Sequence, residues 1–373
     1  MTRSGIGRSL FFLILTLTVG AVVWAQEAGK WNEMQLPALA KVWSLKAVAF
    51  ADPSVGWAVG SINDSNYGLV LKYEDGSWKK VFTPAGTKLW VTHLVDIALS
   101  GPQDGWAVGD KYFIWSDPDR FKGFVAKLQN GRWSQGVLPG GGRNFKLEGV
   151  SIPPKNNVAW AVGGVIHEKT RHGLILQNTG SWRVVNVPDP EGSEWELKDV
   201  DCPTVERCWA VGRIINPPKG KNPLLVMSYN NGEWKREQTP MPPAEVIGSR
   251  LQCVSFAGPD IGWAGGKGIM LIYRGGKWEK DTPNNVQAGW QINGISCPRP
   301  DYCYAVGLDM DTRTPLWLER TSQGWRKVKT SFDAKINALE DVFFLKPGLG
   351  WAVGGLQVGQ DYPAGAFQYV FGK

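Results

Sequence analysis

The sequence predicts an all-β chain: a seven-bladed β-propeller of four-stranded antiparallel blades, with the ring closed by the N-terminal strand completing the last blade. Three observations predict it. An aromatic-Ala-Val-Gly tetrapeptide recurs seven times, as Trp57-Ala-Val-Gly60, Trp106 to Gly109, Trp160 to Gly163, Trp209 to Gly212, Trp263-Ala-Gly-Gly266, Tyr304 to Gly307 and Trp351 to Gly354, at spacings of 41 to 54 residues. Each copy follows a short apolar run: "LKAVAF", "LVDIAL", "LEGVSI", "LKDVDC", "LQCVSF", "INGISC" and "LEDVFF". Each of the first six leads to a third apolar run and then a Gly-x-Trp or near equivalent, at Trp78, Trp133, Trp182, Trp234, Trp278 and Trp325. A fixed period of this size marks units that bury their faces only by stacking on one another.

The runs are short, apolar or β-branched, and bounded by Gly, Pro, Asn and Asp, as strands are. Outside the N-terminal apolar stretch no segment sustains a helical period. Four strands per unit, named A to D from the axis outward, place A strands near 45, 94, 147, 197, 251, 292 and 339. The seventh unit ends on "AFQYVF" without a Gly-x-Trp, and the missing piece stands at the other end of the chain. There "GKWNEMQLP", with Trp31, matches "GKWEKDTP" around Trp278, so a closing strand is expected near 30–37 and residues 26–373 read as one propeller. Closure of this kind protects two otherwise exposed strand edges. Thirteen of the twenty tryptophans occupy the two repeat positions, which makes them packing between twisted sheets rather than a cofactor box.

The chain opens with "MTRSGIGRSLFFLILTLTVGAVVWAQE", in which Arg3 and Arg8 precede sixteen apolar-rich residues, Leu10 to Ala25, and a Val23-x-Ala25 site. Residues 1–25 read as a signal peptide, cleaved after Ala25, with an uncleaved anchor as the alternative. The run is shorter than the roughly 20 residues of a spanning helix. The expected location is secreted or periplasmic, with no integral membrane domain after cleavage. Loss of Arg3 and Arg8 takes the formal charge from +7 to +5, and charges of both signs are scattered rather than gathered in a stripe, which argues against nucleic acid as a partner. No cofactor is indicated, and a monomer is expected.

The turns between strands C and D read "YEDGSW", "LQNGRW", "YNNGEW" and "YRGGKW". They resemble a shortened Asp-box, the Ser-x-Asp-x-Gly-x-Thr-Trp turn of sialidase-like propellers. The "GWAVG"-type strands alternating with such turns are similar to the repeats of Ycf48-like photosystem II assembly factors. The resemblance covers residues 29–373 and is one of repeat type. It implies a propeller fold and either an assembly or binding scaffold or a glycan-processing site.

In such blades the A–B and C–D turns share one face of the ring, and the B–C loops and D–A connections share the other. The first set is uniform: "ADPS", "SGPQ", "PPKNN", "AGPD" and "EDG", "QNG", "RGG". The second differs in every blade, from "SINDSNY" to "DKYFIWSDPDRFK" and "GLQVGQDYPAG". Variation confined to one face marks the expected binding face for a protein or glycan ligand. Trp43, Trp90, Phe145, Trp195 and Trp290 each stand two to four residues before an A strand's apolar run, near the channel mouth. They can stack on sugars, prolines or other rings, or they can plug the gaps between blades. Tyr112, Trp115, Arg143, Arg213, Arg250, Arg313 and Tyr362 map to the same face and complete the candidate rim.

A sialidase-like site would also draw on Arg171, Tyr67, Glu168 and Asp117, but a charged loop is by default only a solvated one, so no catalytic residue is assigned. "HEKTRH", His167 to His172, is one residue too long for a zinc-protease helix and lies on a strand connection, and "WAGGKG" lacks the glycine and hydroxyl of a phosphate loop. Along the A strands Asp96, Asp199, Asp201 and Asp341 face the axis, where they can share an ion or accept from backbone amides.

Two cysteine pairs, Cys202 with Cys208 and Cys297 with Cys303, take the last position of strand A and the position before the strand B aromatic in blades four and six. Neither turn has a histidine for zinc, and a redox pair would be closer spaced, so both are expected as disulfides on the uniform face. Cys253 remains as a buried thiol at an A-strand position.

Overall fold

The computed structural model describes residues 29–63, 66–82, 84, 90–113, 121–167, 170–190, 194–283, 289–331, 335–358 and 361–370. The segment 1–25, expected as a leader, and Trp115, Asp117 and Glu168 lie outside them. Among the described residues, 28 strands form seven four-stranded antiparallel units, the fifth and sixth joined by the single pair Lys267↔Gln291. In the first blade strand A is Trp43–Phe50, B is Val55–Ile62, C is Tyr67–Glu74 and D is Ser77–Phe82. The later A strands are Trp90–Gly101, Phe145–Ser151, Trp195–Thr204, Arg250–Gly258, Trp290–Arg299 and Ile336–Lys346. Each A strand touches the A strands of both neighbours, the seventh against the first, so the ring is a closed seven-bladed propeller with the A strands at the axis.

The seventh blade takes its outermost strand from Lys30–Glu33, which pairs Trp31 with Tyr369 on Ala364–Val370. The strand is shorter than 30–37, although Met34 N–H still donates to Ala366 O. The Asp75-Gly76, Asn130-Gly131, Asn231-Gly232 and Gly275-Gly276 turns hold positive φ at both central residues, the geometry that matches strand twist in a two-residue hairpin.

One device repeats in all seven blades. The A–B pairing slips by one residue at Lys46, Val95, Glu148, Lys198, Gln252, Asn293 and Glu340, always the residue after a buried Leu or Ile. Each slip is a β-bulge that turns strand A toward the axis. It presses the carbonyl of the residue two before the bulge against the glycine of the repeat tetrapeptide: a Cβ on Gly60 would stand 1.9 Å from Ser44 O, and one on Gly212 would stand 2.0 Å from Glu196 O. The invariant last letter of "WAVG" is thus the seat of the bulge.

Sheets meet through aromatic seams. The strand-A terminus of one blade covers the strand-B aromatic of the blade before: Phe256 stacks on Trp209 at 3.8 Å between ring centroids, and Phe344 on Tyr304 at 4.4 Å. Such a ring lies over a glycine on its own hairpin, Phe256 over Gly262 and Phe344 over Gly350. In blades four and six the same two positions are the disulfides Cys202–Cys208 and Cys297–Cys303, packed with Trp160 and Trp263. Each indole removes on the order of 150–250 Å² from water, about 4–6 kcal/mol of transfer free energy before the entropy of ordering.

Axial carboxylates tie these sheets together. Asp96, Asp199 and Asp341 each accept one N–H from the following residue and one from the next blade, namely Val150, Val254 and Val48. Asp201 accepts from Phe256 N–H in the same way. These carboxylates staple blades together, and their oxygens are taken by backbone donors rather than turned to a shared ion. Cys253 is buried and unpaired, its Sγ 3.6 Å from Gly265 O.

A charged channel mouth as candidate binding face

The bulges line up the residues that guard the channel. A cavity of about 90 Å³ on the axis is lined by Lys46, Glu148, Lys198, Gln252, Asn293 and Glu340, with Asp96, Asp199, Cys253 and Asp341 below. Bulge residues of neighbouring blades carry opposite charges where they meet. Lys46 Nζ lies 2.6 Å from Glu340 Oε1 across the first and seventh blades, and Lys198 Nζ lies 2.9 Å from Glu148 Oε1 across the third and fourth.

The densest charge sits on the loop-rich face of blades three and four. The Glu196 side chain is only 5 % exposed, yet it receives Arg171 Nη1 at 2.9 Å, Arg213 Nε at 2.8 Å and Lys198 Nζ at 3.4 Å. Burial by itself would raise the Glu196 carboxyl, but the charges of Lys198, Arg213 and Arg171 outweigh it and hold the group at about 2. Glu148 is likewise held down, its burial offset by Lys198 and Lys146, and Lys146 Nζ stands 2.6 Å from it. Asp110 lies nearby and is buried, which raises it to about 6. Arg250 is held by Gln291 Oε1 at 2.7 Å, with burial and the Arg213 charge pulling its pKa down.

The expected rim residues divide sharply. Trp43, Trp195 and Trp290 are 1–3 % exposed and fill the seams between blades. The Trp195 ring lies on Gly173 of the preceding blade, where a Cβ would come within 1.8 Å of it. These three indoles are buried against the neighbouring blades, as the gap-filling alternative expects. Trp90 and Phe145 remain partly exposed, Trp90 between Phe113 at 5.3 Å and Lys122 at 4.6 Å. Tyr112 packs edge-on to His93 at 5.3 Å. Arg143, Arg313 and Tyr362 are exposed and spread around the ring, and Tyr362 lines a cavity of about 330 Å³ with His93, Lys46 and Glu340 between blades seven, one and two. Burial pushes His93 down, aided by the charges of Lys46 and Lys146.

Of the five arginines placed on this face, Arg171 and Arg213 converge, and they do so on a carboxylate that already neutralises part of their charge. Among the described residues no hydrogen bond joins Tyr67, Tyr112 or Tyr362 to a carboxylate. Lys146, Glu148, Glu196 and Lys198 are the functional candidates the rim pattern passes over. For Glu148 and Lys198 the signal was the alternation of charge after the Leu of strand A, in "LKAVAF", "LEGVSI", "LKDVDC" and "LEDVFF"; Lys146 and Glu196 stand one residue before that Leu.

Fold and face together define a β-propeller with a charged channel mouth. No family model matches the chain, and no curated protein matches it. Solved structures of similar fold include one described as YCF48 bound to D1 peptide, at 16% identity and a TM-score of 0.59, covering 93% of this chain and 98% of that one. YCF48 from Cyanidioschyzon merolae matches at 14% identity and a TM-score of 0.58, covering 91% and 99%. The extracellular domain of the BT4673 system from B. thetaiotaomicron matches at 11% identity and a TM-score of 0.55, covering 91% of this chain and 39% of that one. At these identities the likeness is one of fold. Among the described residues no helix is long and apolar enough to cross a membrane.

Proposed function

We propose that this chain is an exported, non-catalytic propeller that acts as a docking or assembly scaffold, holding a protein partner on its loop-rich face. The observation that carries the reading is the Arg171–Glu196–Arg213 cluster. One buried carboxylate fixes two guanidiniums and the Lys198 ammonium at the channel mouth, all three partly exposed, so the surface is cationic and set before any partner arrives. Such a surface suits a segment rich in carboxylates. A propeller of similar fold has been solved with a peptide bound, which supports a peptide-sized contact here.

A protein fits this face better than a glycan, because three of the five expected stacking rings are buried. A glycan-processing reaction is the weaker reading. Glu196, held at about 2, cannot deliver a proton as a general acid near neutrality, and Glu148 is occupied by two lysines. Two disulfides suit an oxidising compartment, in keeping with a leader at 1–25. N-terminal sequencing of the mature protein tests the leader, and sedimentation tests the monomer.

The docking test compares cross-linked complexes recovered from native extract by the wild type and by an Arg171→Ala, Arg250→Ala double variant, with mass spectrometry placing the cross-links. The expected result is a partner cross-linked to the loop-rich face, weakened by salt and lost in the variant. Equal recovery by both proteins would sink the proposal.

A further inference from the structure

Another cavity lies on the opposite, uniform face. It opens between blades two and three and measures about 580 Å³, within the range of roughly 300–1,000 Å³ typical of small-ligand clefts. Its origin is local. In six blades the A–B ladder runs past the level of the tetrapeptide aromatic, as in Phe50↔Gly56 or Leu99↔Gly105. In blade three it stops at Ser151↔Trp160. The next residues are Ile152, Pro153 and Pro154, and proline has no N–H to extend the ladder. The hairpin splays, and Lys155 turns the chain at a φ of 57°.

The seam below loses its filler. At the six other seams the tetrapeptide aromatic is capped by Phe, Leu or a disulfide and is at most 1 % exposed. Trp106, facing Ile152 across the splayed hairpin, stays partly exposed and lines the cavity. Trp182 meets it edge-on at 5.1 Å, and Lys127 Nζ stands 5.7 Å from its centre.

Around this indole the cavity gathers four carboxamides: Gln129, Asn156, Asn157 and Asn178. Two are fixed by their own turns. Asn156 Oδ1 accepts from Val158 N–H at 2.8 Å, and Asn178 Oδ1 accepts from Gly180 N–H at 2.9 Å, which leaves the NH₂ of each as its donor. Gln129 and Asn157 are exposed. A carboxamide both donates and accepts, and so does a sugar hydroxyl. The axial C–H face of a pyranose is apolar and matches an indole.

We infer that the cleft between blades two and three binds a neutral saccharide, with one pyranose seated on Trp106 and its hydroxyls held by Gln129, Asn157 and the fixed NH₂ groups of Asn156 and Asn178. Peptides and anions are the poorer fit. A peptide would need unpaired backbone edges to extend, and Lys127 and Lys155 are balanced in part by Asp104 at the same wall.

The test uses the full mature chain and three probes, cellotetraose, chitotetraose and maltotetraose, by saturation-transfer NMR followed by calorimetry. At least one probe should bind, and Trp106→Ala should weaken it by about tenfold or more. Gln129→Ala and Asn157→Ala, both at exposed positions, should each cost about three- to tenfold. If Trp106→Ala fails to fold, the Gln129→Ala, Asn157→Ala double variant decides alone. The Arg171→Ala, Arg250→Ala variant should bind the sugar unchanged, which separates this cleft from the docking face. Absence of binding by all three probes at about 1 mM overturns the inference. So does binding that survives the cleft variants or disappears in the arginine variant.

Discussion

Phe50 of the first blade lies flat on Trp351 of the last, with ring centroids 3.5 Å apart and planes 6° from parallel. This contact seals the seam where the chain closes on itself, and Phe50 is paired on its own hairpin with Gly56. Blades four and six carry a disulfide at the corresponding pair of positions. A Phe50→Cys, Gly56→Cys double variant should therefore form a third bridge under oxidising conditions. Free-thiol titration should count one thiol per chain, that of Cys253, as in the wild type. Two extra thiols would show that the two solutions to the seam are not interchangeable. Phe50→Ala, which leaves the seam open, should cost about 3–5 kcal/mol in denaturant unfolding.

The native disulfides should each be worth about 2 kcal/mol from the loop they close, with a packing contribution against Trp160 or Trp263 added. Cys202→Ser and Cys297→Ser variants, compared with the wild type by thermal melting with and without reductant, check this. Reductant should lower the wild-type midpoint, and the double variant should be insensitive to it.

Asp281 joins blades five and six through one oxygen. Its Oδ2 accepts from Trp263 Nε1 at 2.8 Å, Trp325 Nε1 at 3.0 Å and Arg320 Nε at 3.0 Å. Asp281→Ala leaves two indole N–H groups and a guanidinium without their acceptor, at an expected cost of about 2–4 kcal/mol. Asp281→Asn should recover part of that. Urea unfolding with matched m-values is the measurement, and a change under about 0.5 kcal/mol would refute the clamp.

Stability should depend on pH in two opposed windows. Burial raises Asp199 to about 8 and Asp341 to about 7, against about 3.9 for an unfolded aspartate. Between those values the folded chain holds protons that the unfolded chain has released. Stability is therefore full below about pH 4 for these groups and falls as pH rises toward 8. Glu196, held at about 2, acts in reverse: its contribution is present above about pH 4.3 and is lost on acidification. Guanidinium unfolding at pH 5 and pH 8 should show a lower stability at the higher pH. Asp341→Asn should flatten that decline, and an unchanged slope would count against the assignment.

The ring itself was legible because its cause is written at fixed intervals. A tetrapeptide ending in glycine, a paired Phe and Gly or Cys and Cys, and an Asn-Gly or Asp-Gly turn each state a backbone requirement that any reader can align. The bulge was not legible, since a one-residue slip leaves no mark in composition, though it explains both the glycine and the charged residue beside it. The rim aromatics stayed open between two readings for a related reason. A tryptophan before a strand looks the same whether it faces solvent or a glycine on the neighbouring blade, and Gly173 decides the matter for Trp195 from 22 residues away. The charge cluster on Glu196 fell between these cases. Its partners come from three strands of two blades, yet the alternation of Lys and Glu along the repeat was visible.

The closing strand also sets how the ring answers to a pull. Lys30 pairs with Val370 and Glu33 with Phe367, so tension applied to Lys30 and Val370 loads one rung of the ladder at a time. Such a joint peels open at low force, whereas a ladder loaded along its length resists as a whole. A tether attached at these two points would open blade seven first and leave the six complete blades to bear the load.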